Sequence, residues 1–558
     1  MKHSAPSHRL SDAASQGVVG MNVDLKNLCS TVSGCVLVGD PKAQVERVHM
    51  DSRSVQSGDL FLALKGARFD AHDFLGDIAL VPGVTALVSK SAVQKLKDLK
   101  INGIGVDNTH KALGELARRW RSQFDLPLIA VTGSNGKTTV TQMIASILKA
   151  HAGEDSLATE GNLNNDIGVP QTLLRLRAHH VCAVVELGMN HPGEIAYLAN
   201  IAQANVALVN NAQREHQEFM SSVRAVAEEN GQALRALGED AVAVFPADDE
   251  FTQLWLQMAQ GRQVITFTTG EVFAQPKEPT IGAIKESLQN NQQTLSAVGT
   301  RLSEVRLLSA SFAAGVWSLE VKTPKGLLAF NLRIAGEHNV KNALAAVACS
   351  MALNIAPDTI ARGLQSFTAV QGRSRTLELT GLCSHETVHL IDDTYNANPD
   401  SVIAAIDVLA SMASPKMLIL GDMGEVGEQG PKYHQEIGEY AAKRGVDFVF
   451  GLGELTHQSV EVFNETYVKK QDPRSKVISN WNTNLKLAGI HFDSMQALQE
   501  YLKEFLISGL DQKKPCVQSI LVKGSRFMKM EQCVQSLETL SEKLQMQHAA
   551  HKKESTCC

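Results

Sequence analysis

One stretch constrains this chain more than any other: LIAVTGSNGKTTVTQMIASILKA, from Leu128 to Ala150. It is an apolar run rich in β-branched residues, then a glycine turn, then a long helical pattern. A strand of that composition has to be covered on both faces, which places it in a parallel sheet flanked by helices. The turn lies at the strand's carboxyl end, where the next helix begins. Gly133 and Gly136 let the backbone fold tightly and aim its N–H groups at a polyphosphate, whose charge the helix N-terminus also favours. Lys137 reaches the outer phosphates and Thr138 offers a hydroxyl to Mg²⁺. Ser134, Asn135 and Thr139 complete the cradle. The usual loop keeps four residues between its glycines; Val131 stands in the place of the first, so this is a variant. The alternative, an ordinary glycine turn with a solvated lysine, needs strand, loop, Lys-Thr pair and helix to coincide by accident. The segment is read as a nucleoside triphosphate site.

The same alternation continues on both sides. VCAVVELG, VALVNN and AVAVFPADD each end in polar residues, as parallel strands do when their carboxyl ends carry the chemistry. Glu186, closing the first of these, is the candidate carboxylate for Mg²⁺, which prefers oxygen ligands; a helix-cap carboxylate in ELGMNHPGEI is the alternative. Before the loop, Cys35 to Val106 has short apolar runs and frequent turns, a small mixed α/β unit. After Gly372, VHLIDDTYNANP, MLILGDMGE, DFVFGLG and SILVKGSR alternate with helical patterns. The fold class is therefore α/β in three domains: a small mixed unit, a central phosphate-loop doubly wound sheet and a C-terminal Rossmann-like unit. The boundaries fall at 1–20 (disordered or non-native start), 21–124, 125–368, 369–545 and 546–558 (disordered tail). Gln275–Gln293 reads as a surface loop or partly helical excursion and Arg474–Leu487 as a polar insertion. Gly451 and Gly453 lack the third glycine of a dinucleotide fingerprint, so a cofactor there is not expected.

With 53 basic and 59 acidic residues the formal net charge is −6, which gives no overall attraction to nucleic acid or anionic lipid. The longest apolar stretch, Ala343–Ala356, is too short to span a membrane and reads as a buried helix. Nine cysteines with no CxxC pair suit reduced, packed thiols in a cytosol, and residues 1–20 lack the apolar core of a secretory signal.

Eight segments between about Asp24 and Ser536 together resemble the Mur ligase family. They are DSRSVQSGDLFLALKGARFDAHDF (51–74), TEGNLNNDIGVP (159–170), ELGMNHPGEI (186–195), GEHNVKNALAA (336–346), GRSR (372–375), IDDTYNANPDS (391–401), LGDMGEVGE (420–428) and LVKGSRFMKME (521–531). The DDTYNANP and GDMGE pair, with no DNPR-type loop, resembles the dipeptide-adding branch. That resemblance implies an ATP- and Mg²⁺-dependent cytoplasmic ligase, working as a monomer. It would join D-alanyl-D-alanine to UDP-N-acetylmuramoyl-tripeptide through an acyl phosphate, for peptidoglycan synthesis. It further implies that Glu186 and His216 help Thr138 hold metal, that Asn339 and Asn342 approach the adenine, and that Arg373 reaches ATP from the third domain. Lys137, Arg373 and His216 are the catalytic candidates. Ser52 and Arg53, the latter oriented by Asp51, suit the uridine diphosphate. Thr159, Asn162, Asn164, Asp393, Tyr395, Asn396 and Asn398 are the remaining substrate candidates, with Asp392 lining the same cleft.

One departure stands out. Where the family carries a lysine that is carbamylated to hold a second Mg²⁺, this chain has Asn230. Either a neutral amide with water completes that shell, or Glu215, Glu218 or Glu229 supplies the charge. A nucleotide-binding regulatory protein of the same fold, and a related ligase adding another amino acid, are the competing functions. His191 is the candidate base for the amine, against a turn histidine capping a helix. Asp70, His72 and Asp73 are read as fold and substrate-loop residues, because three groups in one loop make a weak metal signature.

Overall fold

The computed structural model describes residues 20–66, 68–273, 302–382, 387–470, 488–508 and 516–555. The expected excursion Gln275–Gln293, the insertion Arg474–Leu487 and the start, residues 1–19, lie outside them. The chain forms two compact units, one running to Leu126 and including Leu163–His180, the other holding Pro127–Asn162 and everything from Val181.

The first unit is built on a five-stranded sheet in the order Val36–Val38, Asn102–Val106, Thr85–Ser89, Asp59–Leu62, Arg47–His49, parallel except at the Val36–Val38 edge. Phe61, Leu75, Ile78, Ala86 and Leu96 form its core. The helix Thr109–Arg121 is closed by Asn108, whose side chain accepts from Lys111 N, and it packs against the helix Gly168–Leu174. Trp120 Nε1 donates to Leu176 O at 3.1 Å, which ties residues 163–180 into this unit. The expectation of reduced thiols fails for two of the nine cysteines here. The turn between helix Leu25–Ser30 and strand Val36–Val38, with Gly34 at φ +64°, brings Cys29 and Cys35 to a Cα separation of 5.6 Å in a disulfide. Cys516 is disulfide-bonded as well, while Cys182, Cys349 and Cys533 are buried free thiols.

The second unit holds two sheets. The nine-stranded one runs Gly326–Leu332, Val316–Thr323, Leu302–Ala313, Gln263–Thr268, Val242–Pro246, Val206–Val209, Leu128–Thr132, Cys182–Glu186, Ser156–Ala158. Its seven strands from Leu302–Ala313 onward are parallel; the other two add an antiparallel meander absent from a doubly wound sheet. Helix Lys137–Ala152 and helix Glu337–Ala352 cover one face with Ile144, Ile147, Leu344 and Val347 in a shared core. The six-stranded sheet runs Arg375–Leu379, Val388–Asp393, Ser519–Lys523, Lys416–Gly421, Phe448–Leu452, Gly489–Phe492, antiparallel only at its first pair. The closing helix extends to Ser555, so the tail expected to be disordered from 546 is helical for most of its length.

Candidate functional site

Strand register alone assembles the centre of the site. In the nine-stranded sheet Glu186 lies beside Val131 and Val209 beside Thr132, so the strands flanking Leu128–Thr132 end level with the glycine loop. This is where the chain order reverses across the sheet, the crevice in which open α/β sheets bind ligands. Gly133 and Gly136 hold φ of +129° and +80°, and a Cβ on Gly136 would come within 2.6 Å of Asn342 Oδ1. A chain of buried amides props the loop from below. Asn135 N donates to Asn211 Oδ1 (2.9 Å), Asn210 Nδ2 to Asn135 O (2.8 Å) and to Asn342 Oδ1 (2.9 Å), and Asn342 Nδ2 to Asn339 Oδ1 (3.0 Å). Asn339 and Asn342, assigned to adenine by resemblance, are thus also the loop's support. The helix starting at Lys137 has no side-chain cap, which leaves its first N–H groups without intrahelical acceptors.

Lys137 is folded back on this loop: Nζ donates to Gly133 O at 2.6 Å, Ser134 O at 2.9 Å and Glu215 Oε2 at 3.2 Å. Thr138 Oγ1 donates to Glu186 Oε1 at 3.0 Å, both groups almost fully buried. Glu186 is itself fixed from behind, its N–H donating to Thr159 Oγ1 at 2.9 Å, so Thr159 positions that carboxylate. A hydroxyl and a carboxylate oxygen side by side at a phosphate loop fit one Mg²⁺.

The third predicted metal ligand, His216, sits at φ +50° with Nδ1 2.5 Å from Glu425 Oε2 and Nε2 3.8 Å from Glu215 Oε2. The imidazole holds the Glu425 carboxyl below its ordinary range, and partial burial opposes the shift. Asn230, 1% exposed, ends the helix Val223–Asn230 against the loop strand: its Oδ1 accepts from Thr132 Oγ1 (2.5 Å) and Gly133 N (3.0 Å), while Nδ2 is buried without an acceptor. The backbone N–H can only donate, which fixes the amide's orientation. An amide so placed carries no charge and cannot be carbamylated, so the residues present do not fit a carbamate ligand at position 230.

Residues of the six-stranded sheet reach the same loop. Asn398, N-cap of the helix Pro399–Ser411 in a capping box with Ser401, donates from Nδ2 to Asn135 Oδ1 at 2.9 Å. Arg214, which the sequence pattern does not single out, binds Asp400 through both arms of its guanidinium and Glu436 through Nη1 (2.8 Å), and stacks 5.2 Å from the Tyr433 ring. Burial alone would lower its pKa, but the two carboxylates raise it well above the usual arginine range. Arg373 lies 3.9 Å over the ring of Tyr395. Asp392 accepts from Gly372 N and Thr394 Oγ1, and Asp393 accepts from Ser374 N and from the buried Lys523, whose Nζ is 2.5 Å away. Asn396 is exposed, its carbonyl accepting from Lys523 at 3.0 Å. Lys523 is likewise absent from the sequence-based candidates, although a lysine inside the apolar run SILVK is a signal for a buried pair.

Other candidates fall elsewhere. In the first unit Asp51 accepts from Arg53 Nε and Nη2, as expected, and the arginine's hydrogen bonds hold Asp51 far below the ordinary carboxylate range. Ser52 opens the same turn. Asp70 pairs with His72 Nδ1 at 2.5 Å, and His72 Nε2 accepts from Ser89 N, a loop-fixing role. Asn162 is exposed and Asn164 half-buried. His191 contacts Glu194 at 3.1 Å, whose carboxylate also accepts from the Asn190 and His191 N–H groups, a turn-capping arrangement. After Gly453 the N–H groups of Leu455 and Thr456 donate to Asp422, which takes the place a phosphate would need. Among the described residues no three acidic, histidine or cysteine side chains converge as a preformed metal cage, and no helix is long and apolar enough to cross a membrane.

Three family models match the chain: the Mur ligase family catalytic domain over residues 44–121, the Mur ligase middle domain over 131–350 and the Mur ligase glutamate ligase domain over 377–526. The UDP-N-acetylmuramoyl-tripeptide–D-alanyl-D-alanine ligase of Haemophilus influenzae is 36% identical over 505 residues, 90% of this chain and 95% of that protein. The Escherichia coli protein of the same name is 35% identical over 518 residues, 93% and 99% of the two chains. A crystal structure of MurF from Acinetobacter baumannii superposes with a TM-score of 0.76 at 31% identity, covering 94% of this chain and all of that one. The Thermotoga maritima MurF ligase in complex with ADP gives a TM-score of 0.66 at 22% identity, covering 90% and 98%.

Proposed function

The chain belongs to the Mur ligase family, and on that premise we propose that it joins D-alanyl-D-alanine to the peptide carboxylate of UDP-N-acetylmuramoyl-tripeptide at the expense of ATP, in cytoplasmic peptidoglycan precursor synthesis. The observation that carries the reading is the loop Thr132–Thr139 at the sheet's reversal point, with Thr138 on Glu186 and Asn135 tied to Asn398 of the adjoining sheet. ADP bound to the Thermotoga relative supports a nucleotide there.

The chemistry explains the arrangement. A carboxylate does not react with an amine, because oxide is a poor leaving group and the anion repels nucleophiles. Transfer of the γ-phosphoryl group makes an acyl phosphate, from which the amine displaces phosphate. Phosphoryl transfer asks the protein mainly for positioning and for positive charge. The uncapped helix and loop N–H groups hold the phosphates, Lys137 turns outward to the terminal ones, and Arg373 approaches from the six-stranded sheet. Thr138 and Glu186 would hold Mg²⁺, which neutralises charge between the phosphates. Arg214 and Asn398 keep the adjoining sheet over the loop, which excludes the water that would hydrolyse the acyl phosphate. Ser52 and Arg53 are the uridine diphosphate contacts in the first unit, and Asp393, Tyr395, Asn396 and Asn398 line the cleft for the nucleotide or the incoming dipeptide.

A second reading, ATP binding without ligation, draws on Asn230. One assay separates the two: phosphate release by the purified protein, with each acceptor left out in turn. Release that needs both the UDP-linked tripeptide and D-alanyl-D-alanine is expected, and nucleotide binding without product would favour the second reading. Other amino acids offered as acceptors test the remaining branch of the family, and light scattering on the same preparation tests the monomer. Lys137→Ala should lower turnover by about 10³-fold or more with an unchanged circular dichroism spectrum; near-normal turnover would remove the lysine from the chemistry.

A further inference from the structure

We propose that Glu215 is a ligand for a second divalent cation, kept paired with Lys137 until a polyphosphate draws the lysine away. The proposal deepens the reading above and rests on its nucleotide site. It starts from position 230, where the amide oxygen is spent on Thr132 and Gly133 and no charge is available. Glu215, Glu218 and Glu229 are the candidates to replace it. Glu218 is exposed, and Glu229 is committed, its Oε1 accepting from Ile195 N at 2.9 Å. Glu215 differs from both: it is 6% exposed, and Oε1 is buried with no hydrogen-bond partner.

Lys137 points the same way. An ammonium group has three protons to give, and here they go to Gly133 O, Ser134 O and Glu215, the last at the longest distance of the three. To grip a phosphate the lysine must release at least one of these, and the carboxylate is the contact that a competing anion displaces. Glu215 is then a buried charge without a counter-ion, an unfavourable state. A hard cation arriving with the nucleotide removes that cost, because a carboxylate and phosphate oxygens are the ligands such an ion takes. His216 is placed to share it, since Glu425 engages Nδ1 and leaves Nε2 on the Glu215 side. Nucleotide and second cation are therefore coupled through one carboxylate, and each raises the other's affinity.

The test counts Mn²⁺ by electron paramagnetic resonance on the full chain saturated with an ATP analogue whose β,γ-bridge is not hydrolysed. Glu215→Gln is expected to bind one Mn²⁺ fewer per analogue than the unaltered protein, and to bind the analogue without metal at least about fivefold more tightly, because the lysine is no longer held by a charge. The same Mn²⁺ count in both proteins overturns the proposal and leaves the nucleotide site standing. Failure of the unaltered protein to bind the analogue at all overturns both. Glu215→Asp, which keeps the charge on a shorter stem, provides the check if the glutamine variant misfolds. It should weaken the second Mn²⁺ alone, and an unchanged second affinity counts against the assignment.

Discussion

Gly136 is a residue at which the phosphate loop has no room for a side chain. Its φ of +80° is a conformation side chains rarely adopt, and a methyl group there would meet the amides of Asn342 and Asn210 within 2.9 Å. Gly136→Ala should cost about 1–3 kcal/mol in a urea titration and weaken ATP-analogue binding; an unaltered midpoint would show that the amide chain gives way freely. His434 makes a different prediction. It is fully buried, Nε2 accepting from Met423 N and Nδ1 donating to Gly430 O, and burial depresses its pKa below the ordinary histidine value. An imidazole that resists protonation only when folded leaves the unfolded chain binding the extra proton. Stability is therefore complete above about pH 6.5 and falls as the pH drops below it. His434→Leu should flatten that fall between about pH 6.5 and 5, measured by denaturant midpoints, even though the variant is less stable overall. Lys137, Thr138 and Glu186 are legible in the sequence because a local strand-turn-helix string, or a strand end, fixes where each must go. Arg214, Glu425 and Lys523 are not, since their partners lie 186 (Asp400), 209 (His216) and 130 (Asp393) residues away and only tertiary register joins them.

The meander at the edge of the nine-stranded sheet shows how an element can be plain in the sequence and still go unread. From Val316 to Thr323 the side chains alternate, Trp317, Leu319 and Val321 inward and Ser318, Glu320 and Lys322 outward, which is the period of a half-buried strand. The sequence reading nevertheless assigns no element between 294 and 333, because the parallel βα alternation before it sets an expectation of buried runs. Antiparallel strands at an edge need only one apolar face. Leu319 is 3% exposed in the shared core and Leu327 66% exposed. Leu319→Ala should destabilise by about 2–5 kcal/mol, whereas Leu327→Ala should stay within about 0.5 kcal/mol; equal losses in a denaturant titration would mean the faces are assigned the wrong way round. Helix Pro399–Ser411 is the opposite case. Pro399 at its start and the Asn398–Ser401 capping box are readable as a helix start, and their second use, presenting Asp400 to Arg214 and Asn398 to Asn135, is not. Arg214→Ala removes charged hydrogen bonds that are about three-quarters buried and should cost about 1–3 kcal/mol. Faster proteolysis of the six-stranded portion is the accompanying sign, and Arg214→Lys, which lacks the bidentate fork, should rescue it only in part.

The chain crosses between its two compact units three times, after Leu126, Asn162 and His180, so the first unit is completed only by a segment that follows the phosphate loop. A linear reading of domains, cutting once near residue 124, assigns residues 163–180 to the central domain. The signal that places them in the first unit is tertiary: Trp120 donating to Leu176 O, and Arg177 6.0 Å over the same indole. Neither contact has a sequence period. Separate cores in the two units, Phe61 with Leu75 and Ile78 in one and Ile144 with Leu344 in the other, imply that unfolding need not be a single transition. The ligands should then act selectively. If an adenine nucleotide is held in the second unit, as proposed, then at a hundredfold excess over its Kd it stabilises that unit by about 2.7 kcal/mol and should raise one calorimetric midpoint by roughly 5 °C. A uridine nucleotide, if held by Ser52 and Arg53 as proposed, should raise the other. Replacing Cys29 and Cys35 by serine tests the same division from the covalent side: losing that disulfide touches only the first unit and should shift only its transition. If instead calorimetry gave one transition that both nucleotides raised equally, the units would be energetically one body, and the assignment of separate sites to separate cores would have to be abandoned.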